Sequence, residues 1–153
     1  MSSNAASTAR TGRDLAVAEL VKRGWTVKNT QIERRPVLLA ERGERKRRLR
    51  VSTRRSGTWQ TSTRNAHRRS PLELEHRLWL FVDLAGGDPA FYVVPEGWMV
   101  EDIYRHHQRY LDRHGGDRKH SPRSTHHAIT ESRILHWRDR WDLLNLEPGG
   151  GVA

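Results

Sequence analysis

Residues 36–53, with the sequence PVLLAERGERKRRLRVST, indicate a β-hairpin and through it the fold class. An apolar run at 36–40 precedes an alternating run at 49–53. The polar stretch between them contains Gly43, which suits the tight turn of a hairpin. Because a lone hairpin is marginally stable in water, the sequence predicts further strands or helices that cover one of its faces.

The segments on either side of the hairpin have the sequence patterns of such helices and strands. Apolar residues recur at helical spacing after Gly12 and stop at Gly24, which predicts a first helix. Apolar runs at 78–84 and 91–95 flank a Gly/Pro turn and predict two buried strands. Helical patterns follow over 100–110 and 134–144. This order predicts an α/β fold, with a mixed sheet of four or five strands and flanking helices.

The composition narrows the class of protein. The 153 residues include 28 Lys and Arg against 18 Asp and Glu, a net charge of +10. This charge favours a polyanionic partner, either nucleic acid or an anionic membrane face, although solubility alone would also account for it. Cysteine is absent, so thiolate metal sites and cysteine nucleophiles are excluded. No segment has the pattern of a membrane span or a signal peptide, which predicts a cytoplasmic protein with no membrane partner. We expect one domain over 12–146, between flexible tails at 1–11 and 147–153.

Several motifs occur in a recognisable order along this domain. Gly12 and LVKRGW at 20–25 precede the hairpin, and SGTWQ at 56–60, FYVVP at 91–95 and WRDRWDLL at 137–144 follow it. In this order they resemble the PD-(D/E)XK, or restriction-endonuclease-like, nuclease superfamily, and its small bacterial members in particular. The resemblance covers residues 12–144 in outline and implies a three-layer fold.

The resemblance also implies where a nuclease of this family would hold its metal. The family binds Mg²⁺ through an Asp on the second strand and a Glu, Asp or Gln on the third, with a Lys two residues later. The corresponding positions here hold Val37, Arg50 and Ser52. Valine offers no ligand, arginine repels Mg²⁺, and serine lacks the charge of lysine. The resemblance therefore implies a nuclease-like module with a degenerate active site, which favours a binding or regulatory role, without a cofactor, over catalysis.

Two alternatives stay open at this point. An active endonuclease of the restriction or repair type would need Mg²⁺ on relocated carboxylates, for which Asp14 and Glu41 are the candidates, and His127 would be the candidate general base. Ordinary structural roles would also explain these residues. Asp14 would be a charge in the first turn of a helix, Glu41 a solvated charge in the hairpin, and His127 part of a short capped helix. The second alternative is an antitoxin-like or immunity-like module whose basic face meets an acidic protein. A homodimer is also compatible with the sequence.

Positive charge is densest in the hairpin and just after it. Eight cationic residues lie between 42 and 55, and Glu44 is the only acid among them. The planar guanidinium donates two hydrogen bonds to phosphate, and a neighbouring aromatic ring can stack on a base. The alternative is a solvated hairpin with Trp59 in the core. We predict a nucleic-acid interface, DNA in the first instance, formed by Arg45, Lys46, Arg47, Arg48, Arg50, Arg54, Arg55, Trp59, Gln60, Arg64 and Arg68.

The histidines form a second concentration of functional side chains. Six of the nine lie between positions 106 and 127. Their spacing lacks the paired-histidine and carboxylate pattern of catalytic zinc motifs. The sequence therefore predicts no specific metal site, although imidazoles on one helical face are chemically able to bind one.

Overall fold

The computed structural model describes residues 2–32, 35–66, 77–113 and 126–146. Its helices are α1 (Ser2–Lys22), α2 (Glu96–Arg113) and α3 (Glu131–Ile134). Its strands are β1 (Thr26–Ile32), β2 (Arg35–Arg42), β3 (Arg45–Arg54), β4 (Trp59–Ser62), β5 (Arg77–Asp83), β6 (Ala90–Pro95) and β7 (His126–Ile129). Short 3₁₀ helices occupy Thr63–Ala66, Leu135–Trp137 and Trp141–Asn145. None of the described helices is long and apolar enough to cross a membrane.

Five strands form the main sheet, in the order β1-β2-β3-β5-β6. β3 and β5 run parallel, and the other neighbours are antiparallel, so the sheet is mixed. The hairpin predicted from residues 36–53 is confirmed: Leu38 lies opposite Leu49, and Gly43 takes a positive φ of 62° in the turn. β4 and β7 pair in a second, two-stranded sheet. The prediction of an α/β fold with a mixed sheet is confirmed.

One face of the main sheet packs against α1. Leu38, Leu49 and Leu78 lie opposite one another on this face and are buried. Thr53 alternates with Leu49 on β3 and therefore points to the same side. A β-carbon at Gly12 would lie only 1.7 Å from Thr53 Oγ1, so α1 approaches β3 at a distance that only glycine permits.

On the opposite face of the main sheet, other elements of the chain pack over β5 and β6, but they do not cover every strand. Phe81 and Tyr92 are cross-strand neighbours there, and Trp59 of β4 packs edge-on against both, with ring centroids 5.4 and 5.5 Å away. At the start of α2, Glu96 accepts a 2.9 Å hydrogen bond from Trp79 Nε1. The core therefore lies on both sides of the sheet at β5 and β6.

The N-terminal segment differs from the flexible tail predicted for residues 1–11. α1 begins at Ser2, so Gly12 lies inside the helix instead of opening it. Ala5, Ala6 and Ala9 have the highest helix propensity of any residue type, which favours this extension. Arg55 Nε also donates a 2.8 Å hydrogen bond to Thr8 Oγ1. The predicted tail at 147–153 lies outside the described residues.

The single helix predicted for 134–144 is wrong. The chain forms α3 and then two separate 3₁₀ helices, although Trp137 and Trp141 are buried as expected. Between them Asp139 takes a φ of 55°, and its backbone N–H donates a 2.9 Å hydrogen bond to the carbonyl of Phe91. Docking onto β6 thus replaces continued helical hydrogen bonding.

Candidate functional site

Apart from Arg54, which is engaged by Asp83 and Trp59, five cationic side chains share the face of β1, β2 and β3 that lies opposite α1. Lys28 is directly opposite Leu39, which is directly opposite Arg48, and residues so paired point to the same side of a sheet. Alternation along each strand adds the other members to the same face. We call this set the basic sheet face; it consists of Lys28, Arg35, Lys46, Arg48 and Arg50.

The basic sheet face is open to solvent and carries a repeated charge. All its members are exposed except Arg50, which is half-buried and holds its guanidinium carbon 4.6 Å from the centroid of the Trp79 ring. Lys46, Arg48 and Arg50 are two residues apart, a spacing of about 6.6 Å along a strand. Among the described residues of this face, Glu41 is the one carboxylate. The face therefore has a net charge of about +4.

A cleft of about 380 Å³ adjoins this face where α1 passes the start of β2. Val37, Arg50 and Ser52, the three positions at which the resemblance expects metal-binding and catalytic residues, all line it. Arg13 and Arg35 also line it, so three guanidinium groups surround the opening. No carboxylate occurs among the described lining residues. The cleft thus offers hydrogen-bond donors and positive charge, which suit an anion.

The candidate relocated ligands lie elsewhere. Asp14 is exposed on α1, and Glu41 is half-buried on β2 opposite Lys46. Neither residue lines the cleft. Within the described ranges, no three His, Asp or Glu side chains are grouped closely enough to hold a metal ion.

Two residues predicted to contact nucleic acid are buried structural residues instead. Arg47 is 2% exposed; its Nε and Nη2 donate hydrogen bonds of 2.9 and 2.6 Å to the carbonyls of Leu144 and Leu146. Trp59 is fully buried, and its Nε1 donates a 3.0 Å hydrogen bond to the carbonyl of Val82. Arg47 therefore anchors the C-terminal segment, and Trp59 is a core residue that has no ring face for a base.

Arg54 is likewise engaged in the fold. Its Nη2 donates a 2.7 Å hydrogen bond to Asp83 Oδ2, and its guanidinium lies 4.1 Å from the centroid of Trp59. The hydrogen bond raises the pKa of Arg54 and lowers that of Asp83. Nearby, Tyr92 donates a 2.7 Å hydrogen bond to Glu131, and burial together with this bond raises the Tyr92 pKa to about 12. These groups connect β3, β5, β6 and α3.

The remaining predicted contacts are divided between surfaces. Arg45 lies at the hairpin end on the same face as Arg47, away from the basic sheet face. Gln60 is exposed and lines the cleft, whereas Arg64 is exposed in the 3₁₀ helix after β4. Arg55 is exposed and bonded to α1, as described above. Arg68 lies outside the described residues.

Three cationic residues of the site were missed from the sequence. Lys28 and Arg35 join the basic sheet face only because β1 pairs with β2, and Arg13 reaches the cleft only because α1 crosses the sheet there. The only local signal for Lys28 was its position beside the apolar Val27, because the residues that follow, Asn29 and Gln31, are polar and break the alternation. No local pattern identifies Arg13.

His127, the candidate general base, lies in a second cleft. Arg133 Nη1 is 3.0 Å from His127 Nε2, and because arginine has only donors, Nε2 must be the acceptor. Burial, followed by repulsion from Arg133, lowers the pKa of His127 to about 4. At neutral pH this imidazole is uncharged and its Nε2 lone pair is occupied, so the arrangement does not suit a general base.

The chain was compared with known protein families, curated proteins and solved structures. No family model, curated protein or solved structure matches the chain. The restriction-endonuclease-like fold implied by the motifs therefore stays a prediction. The case for function depends on the surface chemistry of the chain itself.

Proposed function

We propose that this protein binds nucleic acid, DNA in the first instance, through the basic sheet face and the adjoining cleft. It would act as a nuclease-like module with a binding or regulatory role and without metal-dependent cleavage at this cleft. The observation that carries the proposal is the set of cations on one sheet face, Lys28, Arg35, Arg48 and Arg50, together with Arg13 in the adjoining cleft.

The spacing of these charges suits a polymer of phosphates. Cationic side chains follow one another every ~6.6 Å along β3. Lys28 lies roughly 10 Å from this row, because two strand spacings separate β1 from β3. Each phosphate that they neutralise releases condensed counterions, which supplies sequence-independent affinity. Arginine adds bidentate hydrogen bonds to that electrostatic attraction.

The chemistry of the cleft supports binding without hydrolysis. A divalent cation in this cleft would lie among Arg13, Arg35 and Arg50, whose charges repel it. Mg²⁺ in addition requires several oxygen ligands in near-ideal octahedral geometry. A phosphate, in contrast, is attracted by all three side chains.

The proposal is tested by titrating a fluorescein-labelled duplex with protein and measuring fluorescence anisotropy over ~50–200 mM salt. Five phosphate contacts predict a slope of log K against log[salt] of about −4.5. Lys28→Glu with Arg48→Glu should reduce the slope to about −2.7 and weaken binding roughly 60-fold at ~0.1 M salt. Both side chains are exposed, so this variant should fold.

The matched control is Arg105→Glu with Arg138→Glu, which changes the net charge equally. These side chains are 67% and 55% exposed and lie on α2 and beside β6. The control should retain the parent slope and affinity. Absence of binding at low salt, or equal losses in both double variants, would refute the proposal.

A cleavage assay distinguishes the alternatives. Supercoiled plasmid incubated with the protein and Mg²⁺ or Mn²⁺ should stay intact. Nicked or linear products that disappear in Asp14→Ala would instead establish an endonuclease with a relocated carboxylate. If DNA is not bound and an acidic protein co-purifies stoichiometrically, the antitoxin-like or immunity-like role would replace this one.

A further inference from the structure

A second cleft, of about 420 Å³, lies between α2 and β7. It shares no lining residue with the cleft beside the basic sheet face. Its volume is in the range typical of small-molecule sites, about 300–1,000 Å³. The proposed function makes no use of it.

The cleft is lined almost entirely by groups that donate hydrogen bonds or carry positive charge. Arg109 and Arg113 are exposed and four residues apart on α2, so they lie one above the other on one helical face. Arg133 enters from α3, and Tyr110 adds a hydroxyl. The described lining includes no carboxylate. Its imidazoles are His106, His107, His126 and His127.

The inner wall of the cleft is fixed by a hydrogen-bonded chain. Asp102 accepts hydrogen bonds of 3.0 and 2.7 Å from Arg133 Nε and Nη2. Arg133 Nη1 then donates to the carbonyl of Ala128 at 2.9 Å and to His127 Nε2 at 3.0 Å. His127 must therefore carry its proton on Nδ1, as a donor. A metal ion would have to displace Arg133 to reach the Nε2 lone pair.

We propose that this cleft binds a phosphoryl group, either as a phosphomonoester or as inorganic phosphate. A dianion matches the guanidinium groups of Arg109 and Arg113 and the Tyr110 hydroxyl in a lining that includes no described carboxylate. Arg133 adds positive charge, although its donors are already bonded to Asp102, Ala128 and His127. Arginine is well suited to this role because its planar fork pairs two donors with two phosphate oxygens.

The electrostatics of His127 agree with this assignment. Burial lowers its pKa first, followed by the positive charge of Arg133 and then by His106 and His107; the opposing influence is that of Asp102. His126, Arg109 and Arg113 also face the cleft. A bound dianion would compensate these cations, so it should raise the pKa of His127.

The first test is an NMR titration of the histidine ring resonances in the full chain, with inorganic phosphate added at constant ionic strength. Phosphate should raise the His127 pKa from about 4 toward its ordinary 6.5. Arg109→Gln with Arg113→Gln, both at exposed sites, should weaken phosphate binding at least tenfold, since charge-assisted hydrogen bonds are lost. Arg105→Gln on the same helix lies outside the cleft and should bind like the parent.

A second test identifies the source of the phosphoryl group. If it is the end of a nucleic-acid strand, a 5′-phosphorylated oligonucleotide should bind more tightly than its 5′-hydroxyl counterpart. Arg109→Gln with Arg113→Gln should abolish that difference, whereas Lys28→Glu with Arg48→Glu should preserve it. Equal binding of the two oligonucleotides, with inorganic phosphate still bound, indicates a small phosphorylated compound instead. The proposal is overturned if phosphate leaves the His127 pKa unchanged or binds the parent and the α2 double variant equally.

Discussion

Replacing Gly12 with alanine should destabilise this protein, although alanine is the better helix former. In an unobstructed helix the change would contribute about 1 kcal/mol of stability. Here the new β-carbon would lie 1.7 Å from Thr53 Oγ1, 2.7 Å from its Cβ and 2.8 Å from its Cγ2. Thr53 is held in the sheet by its pairing with Val82 of β5, so α1 would have to move outward by more than 1 Å.

The expected magnitude follows from these opposing effects. Overpacking of a close contact costs about 1–3 kcal/mol, and contacts this short belong at the upper end. After the helical gain is subtracted, Gly12→Ala should lose about 2 kcal/mol in the free energy of unfolding. Urea denaturation followed by circular dichroism measures this loss. Ala18→Gly, at an exposed site in the same helix, calibrates the propensity at about 1 kcal/mol.

A double-mutant cycle with Thr53 locates the clash. Thr53→Ala removes the 1.7 and 2.8 Å contacts but leaves the one at 2.7 Å, whereas Thr53→Gly removes all three. The coupling energy with Gly12→Ala should therefore be larger for Thr53→Gly than for Thr53→Ala. If Gly12→Ala stabilises the protein, or neither cycle shows coupling, α1 does not approach β3 as described.

Two further predictions concern a buried cation, Arg47, and a half-buried imidazole, His127. Arg47→Met should lower the free energy of unfolding in urea by about 3 kcal/mol, because the Leu144 and Leu146 carbonyls lose their charged donor. The control, Arg48→Met on the exposed face, should lower it little. Equal losses in the two variants would contradict the structural role of Arg47. The His127 pKa of about 4 lies below its unfolded value of 6.5, so the unfolded state binds more protons between these values and stability should fall as the pH drops from about 6.5 to 4. His127→Gln should flatten this slope in a phosphate-free buffer, and an unchanged pH profile would contradict a neutral imidazole at this half-buried position.

The hairpin could be predicted from sequence because its signals are local. The apolar run at 36–40, the alternation at 49–53 and Gly43 between them each favour the observed pairing. The same alternation contained a signal that the sequence prediction did not use. Leu49 faces the core, so Arg47, two residues earlier, must face it too, whereas Arg48 must not.

The rest of the site depends on contacts between distant segments. Lys28 reaches the basic sheet face through the register of β1 against β2, which no short motif encodes. Asp139 ends helical propagation because it docks onto Phe91, a contact across 48 residues (139 − 91). The conformation of α1 before Gly12 depends on helix propensity, which outweighed the polar character of the segment.

The hydrogen bonds of Arg47 have a consequence for the order in which the chain folds. They join residues 97 and 99 positions apart, so synthesis must reach residue 146 before this guanidinium finds both acceptors. Contacts of such long range slow folding, because loop closure precedes any gain from them. The hairpin at 36–53 can form early on a ribosome, but its buried face is complete only when residues 144–146 arrive. Arg47 therefore cannot be fully hydrogen-bonded on the buried face of the hairpin until residues 144–146 have been synthesised.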